Sequence, residues 1–179
     1  MPEGTFSTTR GVLETVVGYT GGTTENPTYD NMGDHTEALR VTFDPRILPP
    51  ELVLRLFWTG HTPLPLSFTG AQYRSALFYH TEHQRIFAEV VRKLMEREGG
   101  GLLASQLELT ALEPAGPFYR AEEYHQMFLA KQRQGMNWMH LRRRDQAHSV
   151  LLRPVSLDSN GNSLVDVPVF LLVLYWHPL

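Results

Sequence analysis

Alternation of apolar and polar side chains within residues 36–43 constrains the fold of this chain more than any other feature. The alternation divides the segment into two faces, with Leu39, Val41 and Phe43 on one and Arg40 and Thr42 on the other. A period of two residues is typical of a β-strand that buries one face. Asp44 and Pro45 end the pattern. The chain is therefore expected to contain a sheet with a covered face.

The segments on either side of this strand also carry clear patterns. Residues 12–19 are rich in Val and end at glycines, which predicts a strand. Residues 20–33 carry Gly, Pro, Asn and Asp throughout and predict a long loop, and unstructured loops of that length are usually functional. Residues 49–51, Pro-Pro-Glu, are expected to open a helix. Its apolar stripe is expected at Leu52, Val53, Leu56 and Phe57.

The second half of the chain predicts a further strand, a second helix and a third segment with period two. Residues 73–79 are predicted as a strand, and residues 81–84, Thr-Glu-His-Gln, match a capping box. The following helix is expected to end at the glycines of residues 99–101, and alternation over residues 106–112 predicts a strand with Leu107, Leu109 and Ala111 on one face. The helix is expected to bury Ile86, Phe87, Val90, Val91 and Leu94.

The predicted elements follow one another as β, β, α, β, α, β, which indicates an α+β or α/β sheet with helices packed on it. Residues 121–132 are predicted as a short helix, and residues 165–176 as a strand without an evident partner. At 179 residues, one domain with a tail is expected.

Composition excludes several classes of protein. A net charge of −3 gives no electrostatic footprint for nucleic acid. The chain has no Cys, so it forms neither a disulfide nor a Cys-based zinc site. The first residues do not resemble a signal peptide, and the apolar run 167–176 is too short to span a membrane. A soluble protein is expected.

Five short motifs occur in order along the chain. They are Gly18-Tyr19-Thr20-Gly21-Gly22, Asn26-Pro27-Thr28-Tyr29, Gly33-Asp34-His35-Thr36-Glu37, Gln72-Tyr73-Arg74-Ser75-Ala76, and Phe-Tyr-Arg-Ala-Glu-Glu-Tyr-His-Gln at residues 118–126. In this order and spacing the chain resembles the A-type peptide-methionine sulfoxide reductases. The resemblance implies a two-layer α/β plait with a ferredoxin-like core. It covers residues up to about 132, so we expect a reductase-like domain at 1–134 and a C-terminal extension of unknown structure at 135–179.

The family's nucleophile is the Cys of a Gly-Cys-Phe-Trp motif, which this chain lacks. The family pattern that follows this motif fits residues 1–12 without a gap, with Glu3 and Phe6 on the Glu and Phe of its first helix. In this register the chain starts just after the Cys and lacks the preceding strand, which the family buries near the sheet centre. A second register places Thr5 at the nucleophile but deletes most of a helix.

The resemblance implies roles for three residues of this chain. Glu37 matches the acid that protonates the departing sulfoxide oxygen, and such an acid needs burial to raise its pKa. Tyr29 and Tyr73 match the two family tyrosines whose hydroxyls hold this oxygen or a water molecule in the site. The alternatives are a solvated strand-edge Glu37 and two core tyrosines with satisfied hydroxyls. His125 is expected to be structural, and His80 and His83 are not expected to bind a metal.

The resemblance also implies the partners of the reaction. The substrates would be oxidised proteins or free methionine sulfoxide, repaired after oxidative stress. No bound cofactor is expected, and thioredoxin or another external thiol would be the reductant. A cytoplasmic monomer is expected, with an organelle not excluded if the true N-terminus is missing. Three hypotheses remain open: a reductase whose N-terminus is missing, a non-catalytic sulfoxide-peptide-binding module, and an inactive fragment.

Overall fold

The computed structural model describes residues 2–65, 67, 70, 72–133 and 169–173. Four helices lie in this part of the chain: α1 Pro2–Ser7, α2 Pro50–Thr59, α3 Glu82–Glu108 and α4 Phe128–Arg133. The strands are β1 Val12–Thr20, β2 Thr36–Phe43, β3 Ala76–Tyr79, β4 Ala111–Pro114, β5 Tyr119–Arg120 and β6 Val169–Val173. A single 3-10 turn, Glu123–His125, precedes α4. The predicted boundary at residues 134 and 135 lies outside the described residues.

The six strands form one mixed sheet in the order β4-β3-β6-β2-β1-β5. Only β3 and β4 run parallel, and the other neighbouring strands are antiparallel. Side chains from the helices and the sheet share one large apolar core. The architecture confirms the predicted α+β class, and one of the two central positions of the sheet belongs to β6.

The alternation in β2 has the predicted consequence. Leu39, Val41 and Phe43 are buried in the core shared with the helices. Arg40 points to the other side, where its guanidinium lies 5.3 Å from the centre of the Phe118 ring. A smaller apolar cluster occupies that side of the sheet, and Phe118 is one of its members. The period of two therefore predicted both the strand and its buried face.

Helix α2 begins as predicted and buries Val53 and Phe57 of the expected stripe, with Leu56 partly buried against the core. The residues that it buries are Val53, Leu54, Phe57 and Trp58. Leu52, expected in the stripe, is 48% exposed. Because 3.6 residues complete a turn, Leu54 and Trp58 extend the stripe on the side away from Leu52. The packing of the helix decided which edge of a broad apolar surface is covered.

Helix α3 has the predicted N-terminal cap, since Gln84 donates its backbone N–H to the Thr81 hydroxyl at 3.2 Å. Its predicted buried face is mostly wrong. Val91 is 1% exposed, but Val90 is 48% exposed, and Ile86, Phe87 and Leu94 are exposed as well. The residues that join Val91 in the core are Ala88, Met95 and Leu107.

The glycines at residues 99–101 do not end α3, which continues to Glu108. The strand predicted for residues 106–112 is therefore wrong over its first half, and β4 begins only at Ala111. A glycine inside a helix costs about 1 kcal/mol relative to alanine. Burial of Leu107 in the core opposes that cost, so the helix is not interrupted.

The helix predicted for residues 121–132 is divided in two. The 3-10 turn Glu123–His125 is separated from α4 by Met127, whose φ of 51° lies in the left-handed region. Buried Glu3 of α1 accepts hydrogen bonds from the backbone N–H groups of Met127 and Phe128, at 2.8 and 3.3 Å. This carboxylate therefore links the start of α4, where the predicted helix is interrupted, to α1.

Strand β6 lies inside residues 165–176, which were predicted as a strand without an evident partner. Residues 169–172 pair antiparallel with residues 39–42 of β2, and residues 171–173 pair antiparallel with residues 76–78 of β3. The strand thus has a partner on both sides. Among the described residues, no helix has the length and apolar character needed to cross a membrane.

Candidate active site

Glu37 is the second residue of β2 and lies opposite Tyr19 of β1. Its side chain is buried, with 8% of the residue exposed. Gln72, in the turn before β3, donates its side-chain amide to Glu37 Oε1 at 2.9 Å. The Glu37 backbone N–H donates in turn to the Gln72 carbonyl at 3.1 Å. The acid is therefore held between β2 and the turn that leads into β3, and it is not a solvated strand-edge residue.

Burial dominates the electrostatics of Glu37. It raises the pKa of this carboxyl to about 7, from an ordinary value of 4.5. Hydrogen bonds from Gln72 and Tyr73 lower the pKa and only partly oppose this effect, while the nearby charge of Glu122 raises it further. A carboxyl with this pKa is protonated in a large fraction of molecules at neutral pH, which is what a general acid requires.

Tyr73 lies in the turn before β3, whereas a strand was predicted to begin there. Its hydroxyl accepts a hydrogen bond from the Gln72 amide at 2.8 Å. The same hydroxyl is hydrogen-bonded to the side chains of Glu37 and Tyr29. Burial and then the charge of Glu37 raise the pKa of Tyr73 well above its usual range. The structure thus brings Tyr29, Glu37 and Tyr73 together, although they are far apart in sequence.

Glu122 is a fourth member of this arrangement, and the sequence did not single it out. Its Oε1 accepts the backbone N–H of Tyr29 at 2.9 Å, and its Oε2 accepts the hydroxyl of Tyr19 at 2.7 Å. It therefore holds the loop that carries Tyr29 against β1. Glu122 and Gln72 both fall within the five motifs, and this membership is the signal that could have identified them.

The loop of residues 20–35 is folded on Asp34. This carboxylate accepts hydrogen bonds from the backbone N–H and the hydroxyl of both Thr23 and Thr24. These bonds hold the pKa of Asp34 well below its usual range. Gly33 precedes it with a φ of +62°, and a Cβ at this position would clash with the Thr24 side chain. These contacts therefore order the loop that carries Tyr29.

His35 and His125 pack beside the site without pointing to a chemical role. His35 is buried, and its ring nitrogens lie 3.3 Å from the Gly22 amide and 2.7 Å from the Thr24 carbonyl. The His125 ring is centred 4.8 Å from the Tyr29 ring. Next to it, the Gln126 amide donates to the carbonyls of Val17 and Ala121, both at 2.9 Å. These contacts brace the walls of the site.

A neutral carboxylic acid and two phenols are good donors for one polar oxygen of a bound molecule. The 179 residues contain no thiol. Within the described residues, no three His, Cys, Asp or Glu side chains are grouped closely enough to hold a metal ion. The arrangement can therefore bind and protonate an oxygen atom, but it supplies no cysteine nucleophile.

Comparison with known proteins gives one consistent result. A family model described as peptide methionine sulfoxide reductase matches residues 2–152. The peptide methionine sulfoxide reductase MsrA of Methanothermobacter thermautotrophicus is 42% identical over 137 residues, which are 72% of this chain and 79% of that protein. The enzyme of the same name from Bacillus licheniformis is 42% identical over 134 residues, with 70% and 72% covered.

Solved structures with the same architecture agree with this result. Methionine sulfoxide reductase A of Corynebacterium diphtheriae superimposes with a TM-score of 0.63 and 31% identity, covering 73% of this chain and 69% of that one. Reduced Mxr1 from Saccharomyces cerevisiae gives a TM-score of 0.56 and 26% identity, with 70% and 74% covered.

Proposed function

The chain belongs to the peptide methionine sulfoxide reductase family, and from this membership we propose that Glu37, Tyr29 and Tyr73 bind and protonate the oxygen of methionine sulfoxide. The observation that carries the proposal is the burial of Glu37, which raises its pKa to about 7 while its side chain contacts the Tyr73 hydroxyl. Members of the family act on the S epimer, and the same epimer is proposed here.

The chemistry divides between these residues and a thiol. A thiolate attacks the sulfoxide sulfur, and the sulfoxide oxygen takes the proton of Glu37. The oxygen is transferred to the attacking sulfur as the S–O bond of the substrate breaks. Methionine leaves, and the attacking cysteine becomes a sulfenic acid, which a further thiol reduces. Because residues 1–179 contain no Cys, the attacking thiol has to come from outside them.

Tyr29 and Tyr73 determine where the hydrogen-bond donors of the site lie. The shared hydrogen bonds of Tyr73 with Glu37 and Tyr29 fix where an oxygen can sit. Glu122 keeps Tyr29 in place through the backbone bond of 2.9 Å. Donors that are already oriented act on the developing charge without reorganising, which favours the transition state over the substrate.

The decisive experiment adds the missing cysteine nucleophile. The chain is preceded by a strand and a Gly-Cys-Phe-Trp segment, and reduction of a methionine (S)-sulfoxide peptide is measured with dithiothreitol. We expect turnover, and Glu37→Gln is expected to lower kcat roughly 10²- to 10⁴-fold. Glu14→Gln, at an exposed position of β1, serves as the matched control. Absence of turnover, or full activity of Glu37→Gln, would contradict the proposal.

The lack of Cys favours a second candidate function for the chain as printed, namely binding of sulfoxide peptides without reduction. Calorimetry with methionine (S)-sulfoxide and (R)-sulfoxide peptides tests this function. Preferential binding of the S epimer, weakened in Tyr29→Phe and unchanged in Tyr79→Phe, is the expected result. No measurable heat with either epimer would exclude it.

Several further features of the protein stay predictions. The reductant is proposed to be thioredoxin or another external thiol, with no bound cofactor, and the substrates to be oxidised proteins or free methionine sulfoxide. A cytoplasmic location and a monomeric state are likewise proposed. The division into a reductase-like domain at 1–134 and an extension at 135–179 is also kept as a proposal, with β6 as the part of the extension that enters the sheet.

A further inference from the structure

Strand β6 lies between two strands that do not pair with each other. In the sheet order β4-β3-β6-β2-β1-β5, it is the element that joins the β4-β3 pair to the β2-β1-β5 group. Residues 169–172 pair with β2 on one side, and residues 171–173 pair with β3 on the other. Without β6, the facing edges of β2 and β3 would each expose a row of unpaired backbone groups, which is costly for a buried sheet.

The strand that fills this gap comes from outside the part of the chain that matches the family. The family model ends at residue 152, and β6 begins at Val169. Residues 134–168 separate it in sequence from α4, which ends at Arg133. The middle of the sheet is therefore completed by a segment that family membership does not account for.

The sequence of β6 suits this position. Its five residues, Val-Phe-Leu-Leu-Val, are all apolar. A continuous apolar run of this length, rich in β-branched and aromatic residues, is typical of a strand buried on both faces. Neighbouring strands on both sides satisfy the N–H and C=O groups of such a strand.

We propose that the facing edges of β2 and β3 form a strand-binding slot, that residues 169–173 of this chain are its occupant, and that backbone pairing alone retains the strand there. The slot is distinct from the oxygen-binding residues, and retention of the strand in it requires no reductase chemistry. The partner that it fits is an extended apolar segment that runs antiparallel to both of its walls.

The occupant also affects the site, because the two walls of the slot carry its two halves. Leu172 pairs with Leu39, two residues after Glu37. Val173 pairs with Ala76, three residues after Tyr73. Apart from β6, the links between these halves include the Glu37–Gln72 bonds and the bond of 3.1 Å from Arg74 Nε to the Thr36 hydroxyl. Release of the strand is expected to loosen Glu37 relative to Gln72.

The test cuts the chain after it has folded. A recognition sequence for a site-specific protease is inserted after Gly161, and the folded protein is cleaved and passed through a gel-filtration column without denaturant. We expect the C-terminal piece to co-elute with the rest. Amide hydrogen exchange at residues 39–42 and 76–78 is expected to stay as slow as in the uncut chain. Separation of the piece, with or without faster exchange, would overturn the proposal.

Peptide replacement then tests whether pairing is responsible. An isotopically labelled peptide of residues 167–175 is added to the cut protein and is expected to replace the resident piece as its concentration rises. The same peptide with Leu171→Pro lacks one backbone donor of a central strand. It should need a roughly tenfold higher concentration to replace the resident piece, or fail to replace it. Equal replacement by both peptides would show non-specific apolar binding and overturn the slot. Because the receiving protein is identical, misfolding of a variant cannot explain the result.

Discussion

Gln72 donates its side-chain amide to the Glu37 carboxyl across 2.9 Å, and this bond joins the turn before β3 to the start of β2. The same amide nitrogen lies 2.8 Å from the Tyr73 hydroxyl. One side chain therefore sets the position of both the acid and a phenol of the candidate site. Its bond to Glu37 favours the charged carboxylate, so it acts against the effect of burial on the pKa.

Removal of this amide should raise the pKa of Glu37 further. Gln72→Ala deletes a hydrogen bond to the ionised form, so we expect an increase of about one unit. The shift is measured by carbon NMR of the labelled Glu side chains as pH is varied. Gln84→Ala is the matched control, because that amide accepts a bond from the His80 N–H far from the site. A fall of the pKa in Gln72→Ala would mean that water, rather than the protein, replaces the lost donor.

The raised pKa of Glu37 predicts how stability depends on pH. The folded protein binds this proton more tightly than the unfolded chain, so the stabilisation is full below the ordinary value of 4.5 and is lost as pH rises through about 7. The free energy of unfolding should fall by about 3 kcal/mol over this interval on account of Glu37.

Urea unfolding of the wild type and of Glu37→Gln, at several values between pH 4 and pH 8, isolates this contribution. Glu3 also has a pKa raised by burial, but its effect is present in both proteins and cancels in the difference. We expect the unfolding free energy of the wild type, relative to that of Glu37→Gln, to fall as pH rises. Parallel curves for the two proteins would contradict the assignment.

Adjacent valines of α3 should differ sharply in their contribution to stability. Val91 is 1% exposed and Val90 is 48% exposed. Val91→Ala leaves a cavity in the core and is expected to cost about 2 kcal/mol, whereas Val90→Ala should cost less than about 0.5 kcal/mol. Chemical denaturation of the two variants provides the comparison. Equal losses would show that α3 presents a different face to the sheet.

Glu3 should contribute to stability through the start of α4. Glu3→Ala removes the acceptor of the Met127 and Phe128 N–H groups, and we expect a loss of about 2 kcal/mol. Glu14→Ala is the control, since the Glu14 side chain is 57% exposed in an ion pair with Arg40, and such pairs contribute less than about 1 kcal/mol. Thermal melting of both variants decides the matter, and equal melting temperatures would argue against the Glu3 bonds.

Local patterns predicted the elements whose formation depends on local chemistry. The alternation of β2 predicted its buried face, because the period of two fixes which side chains share a face. Thr81 was recognised as the cap of α3 because a cap depends on residues three positions apart. Family motifs identified Glu37, Tyr29 and Tyr73 as candidates, and their roles remain proposals.

Tertiary packing decided what the patterns left open. Helix α3 has apolar residues on more than one face, and only its packing in the core shared with α2 and the sheet buries Val91 and leaves Val90 exposed. The partners of β6 depend on segments far away in sequence, which periodicity does not reveal. Gln72 and Glu122 matter because of bonds to Glu37 and Tyr29 across 35 and 93 residues, and local periodicity does not predict such bonds.

The titration of Glu37 in the wild-type chain decides whether this residue can be the proton donor of the site. Carbon NMR of the labelled carboxyl groups, with Glu37→Gln to assign the resonance, gives the midpoint in the folded protein. We predict a midpoint of about 7, the value at which a buried acid can donate a proton near neutral pH. A midpoint near the ordinary value of 4.5 would mean that Glu37 is a solvated carboxylate and not the proton donor of this site.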